Sequence, residues 1–264
     1  MSITVTILGC GSSGGVPRVG GDWGICDSTN PKNRRRRCSL LLQKTIPAGT
    51  TTVLVDTSPD MREQMLSANI THMDGVWFTH EHADHTHGID ELRGYFLRQR
   101  HRIPVWADSP TGDMLLTRFA YCFNKMPGSE YPYILDMNAI AASQPVETNG
   151  AGGTITGVPF YVQHGHIRAL GFRVGAMAYT PDLNAIPDEA MPHLQNLDIW
   201  IVDALRRTPH PSHFSLPETL TWIEKLNPKR AIITNMHIDL DFATLQRELP
   251  AHVEPAYDGL TLTL

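Results

Sequence analysis

The chain of 264 residues is poor in cysteine, has no excess of positive charge and contains no long apolar run. Its four cysteines form no C-x-x-C pair and are outnumbered by 13 histidines, which argues against a disulfide scaffold. The net charge of −5 provides no basic field of the kind that attracts nucleic acid. No run approaches the roughly 18 apolar residues of a membrane span, and no export leader opens the sequence, so we expect a cytoplasmic protein without membrane contact.

What the chain does have is an H-x-H-x-D-H motif at residues 80–85, directly after the apolar run 76–78. The run predicts a buried strand, and sites in α/β proteins lie at the carboxyl ends of strands. His80 and His82 are two apart in extended backbone, point the same way and can share one metal ion. Asp84 and His85 follow after a turn of the chain and can bind a second ion. A chance cluster in a polar loop is disfavoured, because the motif places four ligand residues within six positions.

A glycine-rich stretch follows the first predicted strand, residues 3–8. Its backbone amides could approach a phosphate group, although a tight turn explains the glycines equally well. The stretch is not a Rossmann turn, because Pro17 and the polar residues after it do not open the helix that this motif requires. The candidate contacts to substrate in this stretch are Gly11, Ser12, Ser13 and Gly14.

Two other polar features have structural explanations that compete with function. The run Arg34–Arg37 could attract an anionic substrate, but four adjacent charges more often form a solvated face. Asp56 ends a predicted strand, where helix capping explains it at least as well as catalysis. Cys26 and Cys38 are expected to be ordinary thiols.

Strands alternate with helices in both halves of the chain. The pattern predicts helices over residues 110–125, 217–226 and 242–249, and an irregular stretch over residues 126–150. No linker of low complexity separates the halves. The sequence therefore predicts an α/β fold with two sheets between helices, in one domain over residues 1–264.

Three further candidate ligands, His164, Asp182 and His237, each follow a predicted strand. A lone histidine in such a position is usually an ordinary loop residue. Together with the motif, however, these residues supply the roughly seven ligands that two metal ions sharing a carboxylate require.

These motifs make the chain resemble the metallo-β-lactamase-fold hydrolases over nearly its whole length. The opening G-x-G-x-x-x-G-x-P pattern at residues 9–17, Cys38-Ser39 and the late His213 resemble the PhnP-like phosphodiesterases, relatives of tRNase Z. The resemblance implies an αββα sandwich of two mixed sheets flanked by helices. It also implies two divalent metal ions, one held by His80, His82 and His164, the other by Asp84, His85 and His237, with Asp182 bridging them.

The resemblance further implies that His213 is a catalytic histidine near the scissile phosphate and that Asp84 handles protons as well as metal. Two neighbours compete for these assignments, His166 with His164 and His210 with His213. His164 is favoured by its spacing to the glycine of the next strand, and His213 because a helix follows it.

Two departures from the relatives matter. PhnP has a structural zinc held by cysteines of the early loop and a late histidine, but here only Cys26 remains and Leu240 replaces the histidine. We therefore predict no structural zinc. The arm that grips transfer RNA in tRNase Z has no clear counterpart, although residues 126–153 could be an insertion.

The expected reaction is hydrolysis of a small phosphodiester, such as a cyclic nucleotide or cyclic sugar phosphate, by a hydroxide that bridges the two ions. His213 and the glycine-rich turn favour phosphorus as the reacting centre. The alternatives are a tRNase Z-like RNA 3′-processing endonuclease, a lactonase or thioesterase on the same metal core, and a metal-dependent sensor without turnover. The ligand set suits zinc or manganese. The relatives imply a homodimer.

Overall fold

The computed structural model describes residues 2–125, 127–128 and 130–264. Within these residues the chain forms two sheets of seven strands each. The first has the order β14-β1-β2-β3-β4-β5-β6 and contains β1 (Ile3–Gly9), β2 (Ser39–Ile46), β3 (Gly49–Val55), β4 (Gly75–Trp77), β5 (Ile103–Ala107), β6 (Leu135–Ala139) and β14 (Thr261–Thr263). The second has the order β13-β12-β11-β10-β9-β8-β7 and contains β7 (Val146–Gly150), β8 (Gly153–His164), β9 (Ile167–Val174), β10 (Met177–Thr180), β11 (Ile199–Asp203), β12 (Arg230–Thr234) and β13 (Val253–Pro255).

The helices are short and connect the strands. They are α1 (Met61–Ser67), α2 (Ala83–Thr86), α3 (Leu92–Gln99), α4 (Ser109–Arg118), α5 (Ala120–Phe123), α6 (Leu216–Leu226) and α7 (Phe242–Glu248). Single 3-10 turns occur at Pro31–Asn33, Ile89–Glu91 and Asp188–His193. In the part of the chain that the structure describes, no helix has the length and apolar character needed to cross a bilayer.

Both sheets are mixed. From β14 to β3 neighbouring strands are antiparallel, and from β3 to β6 they are parallel. The second sheet repeats this arrangement, with antiparallel pairing from β7 to β10 and parallel pairing from β10 to β13. The parallel strands place their carboxyl ends at one edge of each sheet, which is where ligand-binding side chains collect in such folds.

Strand side chains alternate between two apolar layers, as the pleat requires. In β2, Leu40 and Leu42 face the second sheet, whereas Leu41 packs in the layer that contains helix residues such as Leu92 and Leu115. Because both faces are covered, central strands such as β11 are buried along their whole length. The result is the αββα sandwich that the sequence predicted.

Trp77 and Phe172 join the two sheets at the centre of this sandwich. Both side chains are almost completely buried, and their ring centroids are 5.3 Å apart. The indole Nε1–H of Trp77 donates a hydrogen bond of 3.0 Å to Thr148 in β7. Trp77 precedes the histidine motif by three residues, so this contact also helps to place the motif relative to the second sheet.

Several local predictions were wrong. Residues 126–150 are not irregular throughout, because they include β6 and β7, the edge strands of the two sheets; residues 126 and 129 lie outside the described residues. The helix predicted over residues 110–125 is interrupted at Phe119, whose φ of −123° and ψ of 35° are not helical. The helix after Asp56 begins only at Met61, so Asp56 is not its cap. The arginine run is not one solvated face, since Arg35 is buried.

Truncating the contact between the sheets should destabilise the fold. Phe172→Ala removes a buried ring and leaves a cavity beside Trp77, so we expect the free energy of unfolding to fall by about 3–5 kcal/mol. Urea denaturation measures this change. Leu97→Ala is the control, because Leu97 is 53% exposed on α3 and its truncation should change the same quantity by less than about 0.5 kcal/mol. Equal losses in the two variants would contradict the assignment of Phe172 to the core.

Candidate metal centre

Polar side chains from both sheets converge at the edge formed by the carboxyl ends of the parallel strands. The H-x-H-x-D-H motif follows β4 and continues into α2, whose first residue comes directly after His82. The second sheet contributes residues at or just after the ends of β8, β10, β11 and β12. In chain order these are His164, Asp182, Asp203, Asn235 and His237.

Three buried atoms in this cluster make no hydrogen bond of good geometry among the described residues: His80 Nε2, His85 Nε2 and Asp182 Oδ2, the last two of which lie 3.0 Å apart. Unsatisfied buried polar atoms are costly, so their convergence indicates a missing ligand. One ligand atom from each of His80, His85 and Asp182 lies within 4.8 Å of the others, and the same holds for His80, His82 and His164. Imidazole and carboxylate groups at such spacing fit a divalent metal ion.

Each buried histidine is held at Nδ1, which leaves Nε2 for the centre of the cluster. His80 Nδ1 lies 3.0 Å from the Thr79 hydroxyl, and His164 Nδ1–H donates to the carbonyl of Ser212 at 2.7 Å. His85 Nδ1–H donates to Asp56 at 2.7 Å. Such bonds fix both the ring orientation and the tautomer of metal-binding histidines.

The electrostatics of the cluster favour one cation-binding centre. Burial lowers the pKa of His80 and keeps this ring neutral with a free electron pair. Burial also acts against the charged form of His85, yet the nearby carboxylates, Asp182 foremost, raise the pKa of that histidine well above its usual value. A bound metal ion would replace the proton of His85.

His213 lies at the side of this cluster. Its Nδ1–H donates to Asp203 at 2.8 Å and lies 3.6 Å from Asp182 Oδ1. Burial opposes protonation of His213, but Asp203 first, and Asp182 and Asp84 after it, raise its pKa to about 9. Burial raises the pKa of Asp203, so the pair retains a proton at neutral pH. His213 also forms a possible ligand group with His164 and Asp182, although the sequence suggested catalysis rather than metal binding.

Two of the predicted ligands, Asp84 and His237, belong to none of these groups of three. Asp84 Oδ2 is 3.6 Å from His85 Nε2. His237 Nδ1 lies 3.0 Å from Asp239, and its Nε2 contacts the guanidinium of Arg18. Both residues nevertheless line the same cavity as the cluster.

The competing histidines occupy different surroundings. His166 is exposed in the turn between β8 and β9, whereas His164 is buried at the end of β8. His210 lines the cavity, but its Nδ1 is 3.3 Å from the backbone N–H of Ser212 and it belongs to none of the ligand groups. The structure therefore brings His164 and His213 to the cluster rather than their neighbours.

The cavity beside the cluster has a volume of about 500 Å³. Only part of the glycine-rich stretch offers free amides to it. The N–H of Gly11 donates to the carbonyl of Arg36 at 2.8 Å, and that of Ser12 to Met236 at 3.2 Å. Among the described residues, the amides of Ser13 and Gly14 have no partner. Residues 12–14 line the cavity, and Gly11 does not.

The sequence analysis did not identify the roles of three residues of the site. For Asp56 the sequence left helix capping and catalysis open, whereas the structure shows that it orients His85. Asp203 is the last residue of β11, and the end of a strand also marks the other ligands, so the same rule could have identified it. No feature of the sequence marked Arg18 as part of the site, because it contacts a residue 219 positions away, His237.

Comparison with known proteins agrees with this geometry. Residues 51–238 match the family described as Beta-lactamase superfamily domain. The crystal structure of a diphosphatase from the PhnP family is 36% identical, with a TM-score of 0.89 over 100% of this chain and 98% of that chain. The short form of human tRNase Z shares the fold at 16% identity, with a TM-score of 0.63 over 98% of both chains.

A curated relative from Porphyromonas gingivalis, an octanoyltransferase, is 33% identical over 260 residues. The match covers 96% of this chain but 50% of the relative, so the chain spans about half the length of that protein. The name octanoyltransferase applies to a protein twice as long as the matched region. Together with the histidine and aspartate cluster, the matches show that this chain belongs to the PhnP family within the beta-lactamase superfamily and is a metal-dependent hydrolase.

Proposed function

We propose that the protein is a phosphodiesterase with two metal ions that hydrolyses small phosphate diesters. The observation that carries this proposal is the position of His213, hydrogen-bonded to Asp203, beside the unsatisfied ligand atoms of the cluster. A cationic imidazole next to a metal centre suits the negative charge of a phosphoryl group. The PhnP relative, named as a diphosphatase, adds diphosphate diesters to the substrates worth testing.

The proposed ligand sets combine the groups of three at the centre with two residues of the cavity wall, Asp84 and His237. One ion would be held by His80, His82 and His164, which form the first group. The second would use His85, Asp84 and His237, with Asp182 between the two ions. When bound, such ions activate water and polarise a phosphoryl oxygen. Zinc and manganese both suit these nitrogen and oxygen ligands.

The side chains around the centre have complementary tasks. Asp203 holds the His213 ring through Nδ1, so its Nε2–H is available to a phosphoryl oxygen or to the leaving group. Asp84, half-buried in the cavity wall, can accept a proton from water. The amides of Ser13 and Gly14 can donate to the non-bridging oxygens. Asp56 and Thr79 hydrogen-bond to each other and to the rings of His85 and His80, and so position these two ligands.

Small esters fit the site better than a long RNA. A cavity of about 500 Å³ has the size of a pocket for a small molecule. The net charge of −5 does not favour a polyanion either. RNA processing therefore stays the second candidate. We further propose a cytoplasmic homodimer; the four free, buried cysteines suit a reducing compartment.

The decisive experiment is a hydrolysis panel on the protein loaded with zinc or manganese. It contains bis(p-nitrophenyl) phosphate, a 2′,3′-cyclic nucleotide, a cyclic ribose phosphate, a nucleoside diphosphate sugar, a precursor transfer RNA, a lactone and an octanoyl thioester. Turnover of the small phosphate esters without RNA cleavage is the expected result. Turnover of the lactone or thioester alone would overturn the choice of phosphorus.

Removing a central ligand and removing the catalytic histidine should have different effects on metal content. His80→Ala should lose bound metal and turnover together, because His80 belongs to two of the three groups of potential ligands. His213→Ala should keep its metal and lose about 100-fold or more in kcat. Metal analysis after gel filtration, together with initial rates, separates the two. His166→Ala, an exposed neighbour, should change neither quantity, and loss of metal from His213→Ala would make His213 a ligand instead.

Asp203→Asn should shift the pH dependence of turnover. The carboxylate of Asp203 raises the pKa of His213 to about 9, so the protonated form persists through neutral pH. Without that charge the pKa falls, and the alkaline decline of kcat should move about one unit or more to lower pH. The measurement is kcat from pH 5 to 10. Asp198→Asn, which breaks an exposed ion pair with Lys229, is the matched control and should leave the profile in place. An unchanged profile in Asp203→Asn would show that His213 does not act as the proton donor.

A further inference from the structure

Arg18 lines the cavity and has no anionic partner among the described residues. Among the described residues, no carboxylate lies within ion-pair distance of its guanidinium, whereas Arg36 and Arg37 pair with Asp258 and Asp60. Arg206 also lines the cavity, but its guanidinium already donates to the carbonyls at 208 and 209. An uncompensated arginine at the wall of a cavity is suited to bind an anion.

Backbone hydrogen bonds fix the position from which the Arg18 side chain extends. Its N–H donates to the carbonyl of Asp22 at 2.9 Å, and its own carbonyl accepts from Gly21 at 2.9 Å. The turn requires positive φ values of 93° and 84° at Gly20 and Gly21, which glycine adopts without strain. Arg18 therefore stands at the base of a tight turn rather than on a free loop.

Gly14 gives the Arg18 side chain its path into the cavity. A Cβ atom at Gly14 would approach Arg18 Cγ to 3.2 Å and Nε to 3.5 Å. The aliphatic part of Arg18 thus lies over the bare backbone of Gly14. This path runs next to Gly14, whose amide, like that of Ser13, has no partner among the described residues.

His237 cannot use the same atom for Arg18 and for a metal ion. Its Nδ1–H donates to Asp239, so Nε2 accepts from Arg18 and is also the atom that a metal would take. Once His237 binds metal, Arg18 must give up this contact. Its long side chain then turns within the cavity, which offers it no carboxylate other than the proposed ligands.

We propose that Arg18, with the amides of Ser13 and Gly14, forms a subsite for the second, non-reacting phosphate of a diphosphate diester. The subsite rests on the proposed function, since it adjoins the centre at which the first phosphate reacts. It defines a substrate class with two linked phosphates, such as a nucleoside diphosphate ester, in preference to a simple phosphodiester. The subsite adds binding and orientation and takes no part in bond cleavage.

The test compares two substrates and two variants. Arg18→Gln should raise KM for a nucleoside diphosphate sugar about tenfold or more, with a much smaller change for bis(p-nitrophenyl) phosphate, so the ratio of kcat/KM values falls about tenfold. Arg18→Lys should restore part of this preference. Arg34→Gln is the charge-matched control, because Arg34 is exposed, does not line this cavity and should leave the ratio unchanged.

A binding measurement separates this proposal from the proposed function. Calorimetry with a methylene-bridged nucleoside diphosphate analogue should show about tenfold weaker binding to Arg18→Gln than to the native protein or Arg34→Gln, at equal metal content. Equal binding, or equal losses for both substrates, would overturn the subsite while leaving the phosphodiesterase intact. If the native protein hydrolyses neither substrate, the proposed function fails, and the calorimetry still decides whether the subsite exists.

Discussion

Asp56 lies just past the end of β3, and its completely buried carboxylate accepts three hydrogen bonds. Two come from the N–H and the hydroxyl of Thr79, at 2.8 and 2.7 Å, and the third from His85 Nδ1. An unpaired charge at this depth would be too costly to retain, and burial does raise the pKa of Asp56. All three donors belong to the segment with the histidine motif. This one carboxylate therefore ties the motif to the neighbouring strand and sets the ring of His85.

The positions of the remaining ligands relative to the motif depend on the distance between the two sheets. The first sheet supplies the motif, and the second supplies His164, Asp182 and His237 from separate strands. Nothing local places these residues beside the motif. Packing of Trp77 against Phe172 and the hydrogen bond from Trp77 to Thr148 define how the two edges meet. A centre assembled in this way needs the whole sandwich, because each sheet alone holds an incomplete ligand set.

The sequence predicted what is encoded locally. The motif at residues 80–85 concentrates its ligands within six positions, and the alternation of strands with helices predicted two sheets between helices. Prediction from the sequence failed where the partner of a residue is distant in the chain or where a single residue changes the backbone conformation. Gly11 was a candidate contact to substrate, but its amide donates to the carbonyl of Arg36. Phe119 interrupts a helix that composition alone would continue.

The arginine run shows why a charge pattern is a poor guide to exposure. Arg35 is 2% exposed, and its guanidinium donates to the carbonyl of Leu240 at 2.6 Å and to that of His237 at 3.4 Å. Cys26, in the preceding loop, donates to Ile238 at 3.4 Å.

These contacts fix the backbone of the His237 loop from one side. Arg18 meets the ring of His237 from the cavity side. Arg35 and Arg18 therefore have different roles. The guanidinium of Arg35 donates to carbonyl oxygens and holds the His237 loop in place. Arg18 remains available to bind a ligand.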